Sequence, residues 1–192
     1  MIGNDIIDIK ETKLSTSWNR PRFIEKIFTL EEQELISNST DPFTTVWHLW
    51  SMKESAYKVF IQANGDRFFN PKRIECTLDN LKTGQVKIGN STLKTNTLTN
   101  SDYIFSTSTF DDTGIITRIF QLNQSNINYQ SVFMHQQVLN DIATSNSLNG
   151  EELKIQKNKA GVPKVYYKNK QLNTFITITH HGNFGAYSIL KN

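Results

Sequence analysis

The stretch DPFTTVWHLWSMKESAYKVFIQA, residues 41–63, decides how the chain is read. Asp41 and Pro42 supply an N-cap and a first-turn proline, so the pattern predicts one long helix to about Ala63. Met52, Ala56 and Val59 recur at i, i+4 and i+7 and make its core stripe. Glu54 and Lys58 are four apart and share a face. Taken alone they read as an exposed pair contributing about 0.3–0.5 kcal/mol. Lys53 adds charge beside them and points elsewhere.

Upstream, Ile2 to Ile9 reads as a short buried strand that carries Asp5 and Asp8. A carboxylate next to Gly3, inside a run as apolar as Ile2, Ile6, Ile7 and Ile9, is costly to bury without a cation. Asp5 with Glu54 forms a hard, all-oxygen pair suited to Mg²⁺, while a turn residue or N-cap fits Asp5 equally well. Pro21 opens a helical piece through Phe23, Ile24 and Ile27. Thr29 and Glu32 match a capping box that starts a short helix ending near Ser37.

Downstream, Gln85–Ile88, Thr92–Leu98, Tyr103–Thr109 and Gly114–Phe120 read as strands punctuated by Gly89-Asn90 and Asn100-Ser101. Ser131 to Ala143 returns to helical spacing, with Val132, Val138, Leu139 and Ile142 on one side. Leu153–Gln156, Val165–Tyr167, Thr174–Thr179 and Ala186–Leu190 are strands again. The expectation is an α+β fold, helices packed on antiparallel sheet, as one domain over residues 1–192. Its two halves are expected to meet near residue 128.

The 192 residues are 37% hydrophobic and 20% charged, with a net charge of +3. That is a globular composition, and the excess of positive charge is too mild for a dedicated nucleic-acid scaffold. A lone cysteine, Cys76, excludes an internal disulfide framework and a cysteine-based zinc site. No apolar run approaches a membrane span, and Met-Ile-Gly-Asn-Asp has no secretory character, so a cytoplasmic protein is expected. In the tail, Gly161-Val162-Pro163 is flanked by Lys157, Lys159 and Lys164. Such a turn either cradles an anion on its backbone amides or is a solvated hairpin turn. His180 and His181 end an apolar strand at Gly182, where histidines are more often structural than catalytic.

Gly3-Asn4-Asp5, followed by Trp50-Ser51-Met52-Lys53-Glu54-Ser55 with Lys58, resembles the paired signature of the 4'-phosphopantetheinyl transferases. Phe28-Thr29-Leu30-Glu31-Glu32 is similar to the segment that lies between those motifs in the family. Gly161-Val162-Pro163 resembles its Gly-Lys-Pro turn, and Thr177-Ile178-Thr179-His180 its Ser-x-Ser-His strand end, with threonine where serine is usual. Ile7 stands where two-module members carry a second carboxylate, so no third metal ligand comes from there. The motif order follows the small holo-acyl-carrier-protein synthases, yet this chain is longer and carries the extra β region. Two arrangements fit: a permuted two-lobed enzyme divided into 1–127 and 128–192, or a single module that completes its site across a homo-oligomer interface.

The resemblance implies transfer of the phosphopantetheine arm of coenzyme A to a serine of an apo carrier protein, releasing adenosine 3',5'-bisphosphate. It implies Asp5 and Glu54 as ligands of Mg²⁺ or Mn²⁺, with Glu54 and Lys58 as catalytic groups. Lys58, Lys159, Gly161, Pro163, Lys164 and His180 are implied to hold coenzyme A. Arg20, Arg22 and Lys26 form the natural docking patch for an acidic acyl or peptidyl carrier protein. No membrane or nucleic-acid partner is expected. A non-catalytic carrier-binding module of the same fold and a weakly basic nucleic-acid-binding domain are the competing functions.

Overall fold

The computed structural model describes residues 1–68, 70–111, 114–123 and 126–191. Strand β1 (Ile2–Asp8) runs directly into helix α1 (Ile9–Ser15), because the Asp8 carboxylate caps it by accepting from the Glu11 amide at 2.9 Å. The apolar Ile9 had extended the expected strand by one residue, and α1 itself carries no apolar periodicity that announces it. Helix α2 (Phe23–Ile27) follows, and then α3 (Leu30–Ser37), with both hydrogen bonds of the Thr29–Glu32 capping box formed. The long helix α4 (Pro42–Asn64) starts at its Asp41 cap and ends at Gly65 in the left-handed conformation, φ 75°. Met52, Ala56 and Val59 are fully buried along it.

The β region forms β2 (Ile74–Leu78), β3 (Thr83–Ile88), β4 (Ser91–Thr99) and β5 (Tyr103–Thr109). Together with β1 they make an antiparallel sheet in the order β1-β5-β4-β3-β2, against which α4 packs. Then come β6 (Ile115–Gln121), α5 (Ile127–Asn146), β7 (Leu153–Lys157), β8 (Pro163–Tyr167), β9 (Lys170–Gln171), β10 (Thr174–His181) and β11 (Phe184–Lys191). They build one sheet in the order β10-β11-β6, a second in the order β7-β8-β9, and a core with α5. All described ladders are antiparallel, which makes the fold α+β.

In each half the strand ahead of the long helix pairs with the last strand of that half, β1 with β5 and β6 with β11. Strand β6 thus pairs with a strand that follows α5, although it lies ahead of residue 128. On α5, Val138 and Ile142 are fully buried, but Val132 is 69% exposed. Its apolar character had placed it on the core side. The helix instead turns that position outward.

Lys53 is the largest departure from the surface role expected of a lysine. Its side chain is 1% exposed, and Nζ meets Glu32 Oε2 at 2.8 Å. Nζ also donates to the carbonyls of Pro71 and Ile74. Glu32 accepts in turn from the amides of Thr29 at 2.9 Å and Cys76 at 2.7 Å. Every charge is matched, which is what lets a buried ion pair persist. The pair ties α3, α4 and β2 together, and so gives the Phe28–Glu32 segment its physical purpose.

The two halves meet along β1. Odd positions of β1 face α4, where a β-carbon on Gly3 would overlap the Ser55 carbonyl and stand 3.2 Å from Lys58 Cβ. Even positions face β10 and β11. Asn4 donates from its amide to Thr177 Oγ1 at 3.3 Å, and the Thr177 hydroxyl donates to Asn4 Oδ1 at 2.9 Å. Ile6 packs on Phe105 and Ala186. Asp8 donates from its amide to His181 Nδ1 and accepts from the Asn183 amide, both at 2.9 Å. Gln62, reaching from α4, donates to the carbonyls of Ile2 and Ile176.

Two predictions follow from this packing. Gly3→Ala forces α4 away from β1 and costs about 1–3 kcal/mol of stability, the usual range for overpacking. A urea midpoint equal to wild type would show that the approach is not limiting. His48 lies buried in α4, and burial lowers its pKa from 6.5 to about 4. The unfolded chain therefore takes up a proton before the folded one, so stability falls as pH drops through 6.5 towards 4. The loss reaches at most about 3 kcal/mol, and His48→Leu flattens that part of the pH dependence. Urea melts at several pH values between 7 and 4 check this, and an equally steep loss in the variant assigns the effect elsewhere.

Candidate active site

Asp5 sits mid-strand in β1, not at a turn, on the side facing α4. Its Oδ1 lies 3.6 Å from Lys58 Nζ and accepts from the Thr179 hydroxyl at 3.3 Å. Lys58 also donates to the Asn4 carbonyl at 2.6 Å. The expected exposed pair between Glu54 and Lys58 is thus replaced by a lysine turned onto β1. Glu54, one turn earlier on α4, takes no hydrogen bond from the described residues and opens into a cavity.

Burial is the main cause that raises the pKa of both carboxylic acids. Asp5 is partly relieved by Lys58 and by the Thr179 hydroxyl. For Glu54 the charge of Asp5 adds to the rise, and Lys58 offsets it in part. Two carboxylates close enough to repel share one lysine, so negative charge is in excess here. That all-oxygen pair fits a hard divalent cation, which typically uses one or two protein carboxylates. Among the described residues, no group of three or more His, Cys, Asp or Glu side chains converges as a metal cage.

The cavity beside Glu54 has a volume of about 340 Å³ and lies between the two halves of the same chain. Lys58 and Glu54 line it from α4; Gly161, Pro163 and His180 line it from the C-terminal half. Lys159 and Lys164 do not. Lys159 is exposed in its turn, and Lys164 Nζ lies 5.3 Å over the Phe175 ring. In the Gly161 turn two backbone amides are already taken. Its Gly161 amide donates to the Asn158 carbonyl and its Val162 amide to Asn158 Oδ1, both at 2.9 Å. The turn contributes shape, and of its three flanking lysines only Lys157 lines the cavity.

Two lining residues are cations, Arg67 and Lys157, and the half-buried His135 lies with them; Lys157 is one of the lysines that flank the turn, whereas Arg67 and His135 belong to no motif. Arg67 follows α4 by three residues, and His135 lies on the polar side of α5, so neither stands out in the sequence. Burial lowers the pKa of His180, helped by Lys58 and Lys157. His135 is lowered for the same first reason, helped by Lys157. His181 has a different role, locking its Nδ1 onto the Asp8 amide.

On the other side of Glu54 is a small hollow walled by Trp50, Tyr57, Asn70 and Pro71. Trp50 and Pro71 also line a groove of about 250 Å³ with Phe23, Ile27, Arg20 and Lys26. The Arg20 guanidinium lies 5.2 Å over the Phe23 ring. Arg22 is exposed at the start of α2 with φ 66°, outside the groove lining. Among the described residues, no helix is long and apolar enough to cross a membrane.

A holo-[acyl-carrier-protein] synthase of Caldanaerobacter subterraneus subsp. tengcongensis is 34% identical over 74 residues, 38% of this chain and 56% of the relative. The chain thus spans about half the length of the curated relative that it matches. A solved structure of the Thermotoga maritima holo-[acyl-carrier-protein] synthase is similar at a TM-score of 0.43 and 9% identity, covering 84% of this chain and 83% of that one. The family model of the 4'-phosphopantetheinyl transferase superfamily matches residues 1–113, more than half of the chain. Asp5, Glu54 and Lys58 all lie inside that match, and the chain belongs to the 4'-phosphopantetheinyl transferase superfamily.

Proposed function

We propose that this protein transfers the 4'-phosphopantetheine group of coenzyme A to a serine hydroxyl of an apo acyl or peptidyl carrier protein, with Mg²⁺ or Mn²⁺. The observation that carries this reading is the position of Glu54. It borders the cationic cavity on one side and, on the other, the hollow that leads to the Arg20/Lys26 groove. A donor in the cavity and an acceptor entering from the groove meet there. Within the family reading the two halves act as pseudo-symmetric lobes, and the cavity lined from both halves of one chain supports a site built without a second copy.

The serine oxygen attacks the phosphorus that bears the pantetheine arm. The bond from that phosphorus to the bridging oxygen breaks, and adenosine 3',5'-bisphosphate leaves. Positioning and charge neutralisation supply most of the rate in phosphoryl transfer. The carrier serine gives its proton to a base, and Glu54, which borders both the cavity and the neighbouring hollow, is the candidate from this chain. Lys58 faces a diphosphate oxygen and steadies the charge that develops on the leaving group. Asp5 and Glu54 would hold the divalent ion, which when bound neutralises the diphosphate charge. His180 closes the wall opposite α4. Arg20 and Lys26, with Arg22 beside them, match an acidic carrier surface, and the apolar groove between takes its apolar side chains.

Incubation with an apo carrier protein, coenzyme A and Mg²⁺, read by mass spectrometry of the carrier, tests the reaction. A gain of one phosphopantetheine is expected, and Asp5→Ala and Glu54→Ala should each lower the rate by at least about 100-fold, the scale of losing a proton-transfer or charge-stabilising group. No gain with acidic carriers of several classes would leave a binding module instead of an enzyme. Arg22→Glu is expected to raise KM for the carrier by about tenfold while that for coenzyme A stays put, a charge reversal at an exposed contact. An unchanged carrier KM takes Arg22 out of the docking surface.

A further inference from the structure

Strand β10 belongs to the C-terminal half, yet its threonines address β1. Strands β1 and β10 each end their own sheet, and among the described residues no backbone ladder joins them. Side chains therefore fix one strand against the other. Thr177 accepts from the Asn4 amide at 3.3 Å and donates to Asn4 Oδ1 at 2.9 Å. Thr179 lies two residues on, so both hydroxyls leave the same face of β10. It is 7% exposed, and its hydroxyl donates to Asp5 Oδ1 at 3.3 Å. Lys58 Nζ stands 3.6 Å from that same oxygen. Among the described residues, Asp5 Oδ2 takes no hydrogen bond or ion pair. Thr177, Ile178 and His180 supply the cavity wall from β10, whereas Thr179 does not line it. Its hydroxyl is spent on the carboxylate.

We propose that Thr179 is a positioning residue, holding Oδ1 of Asp5 from the opposite half of the chain so that Oδ2 is kept for the divalent ion. The assignment rests on the reading of Asp5 and Glu54 as ligands given above. A carboxylate already held on one oxygen has less rotation to lose when an ion binds. Hydrogen-bond partners of this kind raise metal affinity without touching the metal. The branched side chain of threonine is stiff about its first torsion, so it delivers the hydroxyl in a set direction. Thr177, locked twice onto Asn4, fixes the register that brings Thr179 opposite Asp5. Donor and acceptor come from different halves, so affinity for the ion depends on the two halves being seated together.

Titration with Mn²⁺, the free ion read by electron paramagnetic resonance, tests this without turnover. Thr179→Val keeps the shape, removes the hydroxyl and is expected to weaken Mn²⁺ binding by about tenfold, the scale of losing an outer hydrogen bond to a ligand. Thr179→Ser should restore most of the affinity. In an Asp5→Ala background Thr179→Val should change nothing further, because the carboxylate it serves is gone. At saturating Mn²⁺ the variant should keep the wild-type KM for coenzyme A, since Thr179 lies outside the cavity wall. Thr179→Ala and melting temperatures are measured alongside, so that a fold disturbed by valine is told apart from a lost bond. Wild-type affinity in the folded variants, or a loss that serine does not relieve, overturns the assignment and leaves the metal reading standing. Wild type that binds no Mn²⁺ removes both.

Discussion

The contact on which the structure depends is the approach of helix α4 to strand β1 at Gly3, where the Ser55 carbonyl occupies the space of a side chain. That approach sets how far Asp5, two residues along the same face, stands from Glu54 and Lys58. It also frees the opposite face of β1 for the C-terminal half, whose strands bind it through Asn4 and Asp8. One strand thus serves two walls of one cavity. Glycine at position 3 and aspartate at position 5 are a single geometric statement, because the first makes room for the helix that the second addresses.

The buried pair Glu32–Lys53 does for the helices what Gly3 does for the strand. A lysine that is 1% exposed needs compensation from every side, and it finds a carboxylate and two carbonyls. Its reward is register: Lys53 pulls inward, and its neighbour Glu54 is left facing the cavity. The consecutive Lys-Glu of the helix therefore carries two unrelated tasks, one holding α3 and β2 in place and one lining the cavity. Replacing the lysine with another cation would disturb the second task through the first.

What could be read from the chain follows the range of the interactions. Helix α4 and the capping box were legible because caps and apolar stripes act within a few residues. Asp5, Glu54 and Lys58 stood out through the resemblance, since Glu54 and Lys58 alone read as an ordinary exposed pair, and the fold brings the three together. The burial of Lys53 was not legible, since lysine defaults to solvent and its partner lies on a different helix. Arg67 was equally hidden, because the cavity wall joins segments 93 residues apart at Ala160. Lys159 and Lys164 show the converse: they stand beside Gly161 in sequence yet do not line the cavity that it helps to enclose.

The seam along β1 has a kinetic consequence. Asp5 reaches Thr179 across 174 residues, and Asn4 reaches Thr177 across 173, so these bonds close only when nearly the whole chain has been gathered. Loop-closure entropy makes contacts of such separation slow to form. The local hairpins β2–β3–β4 and the helix α4 are free to organise first. The cavity is thus completed late, and a nascent chain still missing β10 lacks the wall that Thr177, Ile178 and His180 supply.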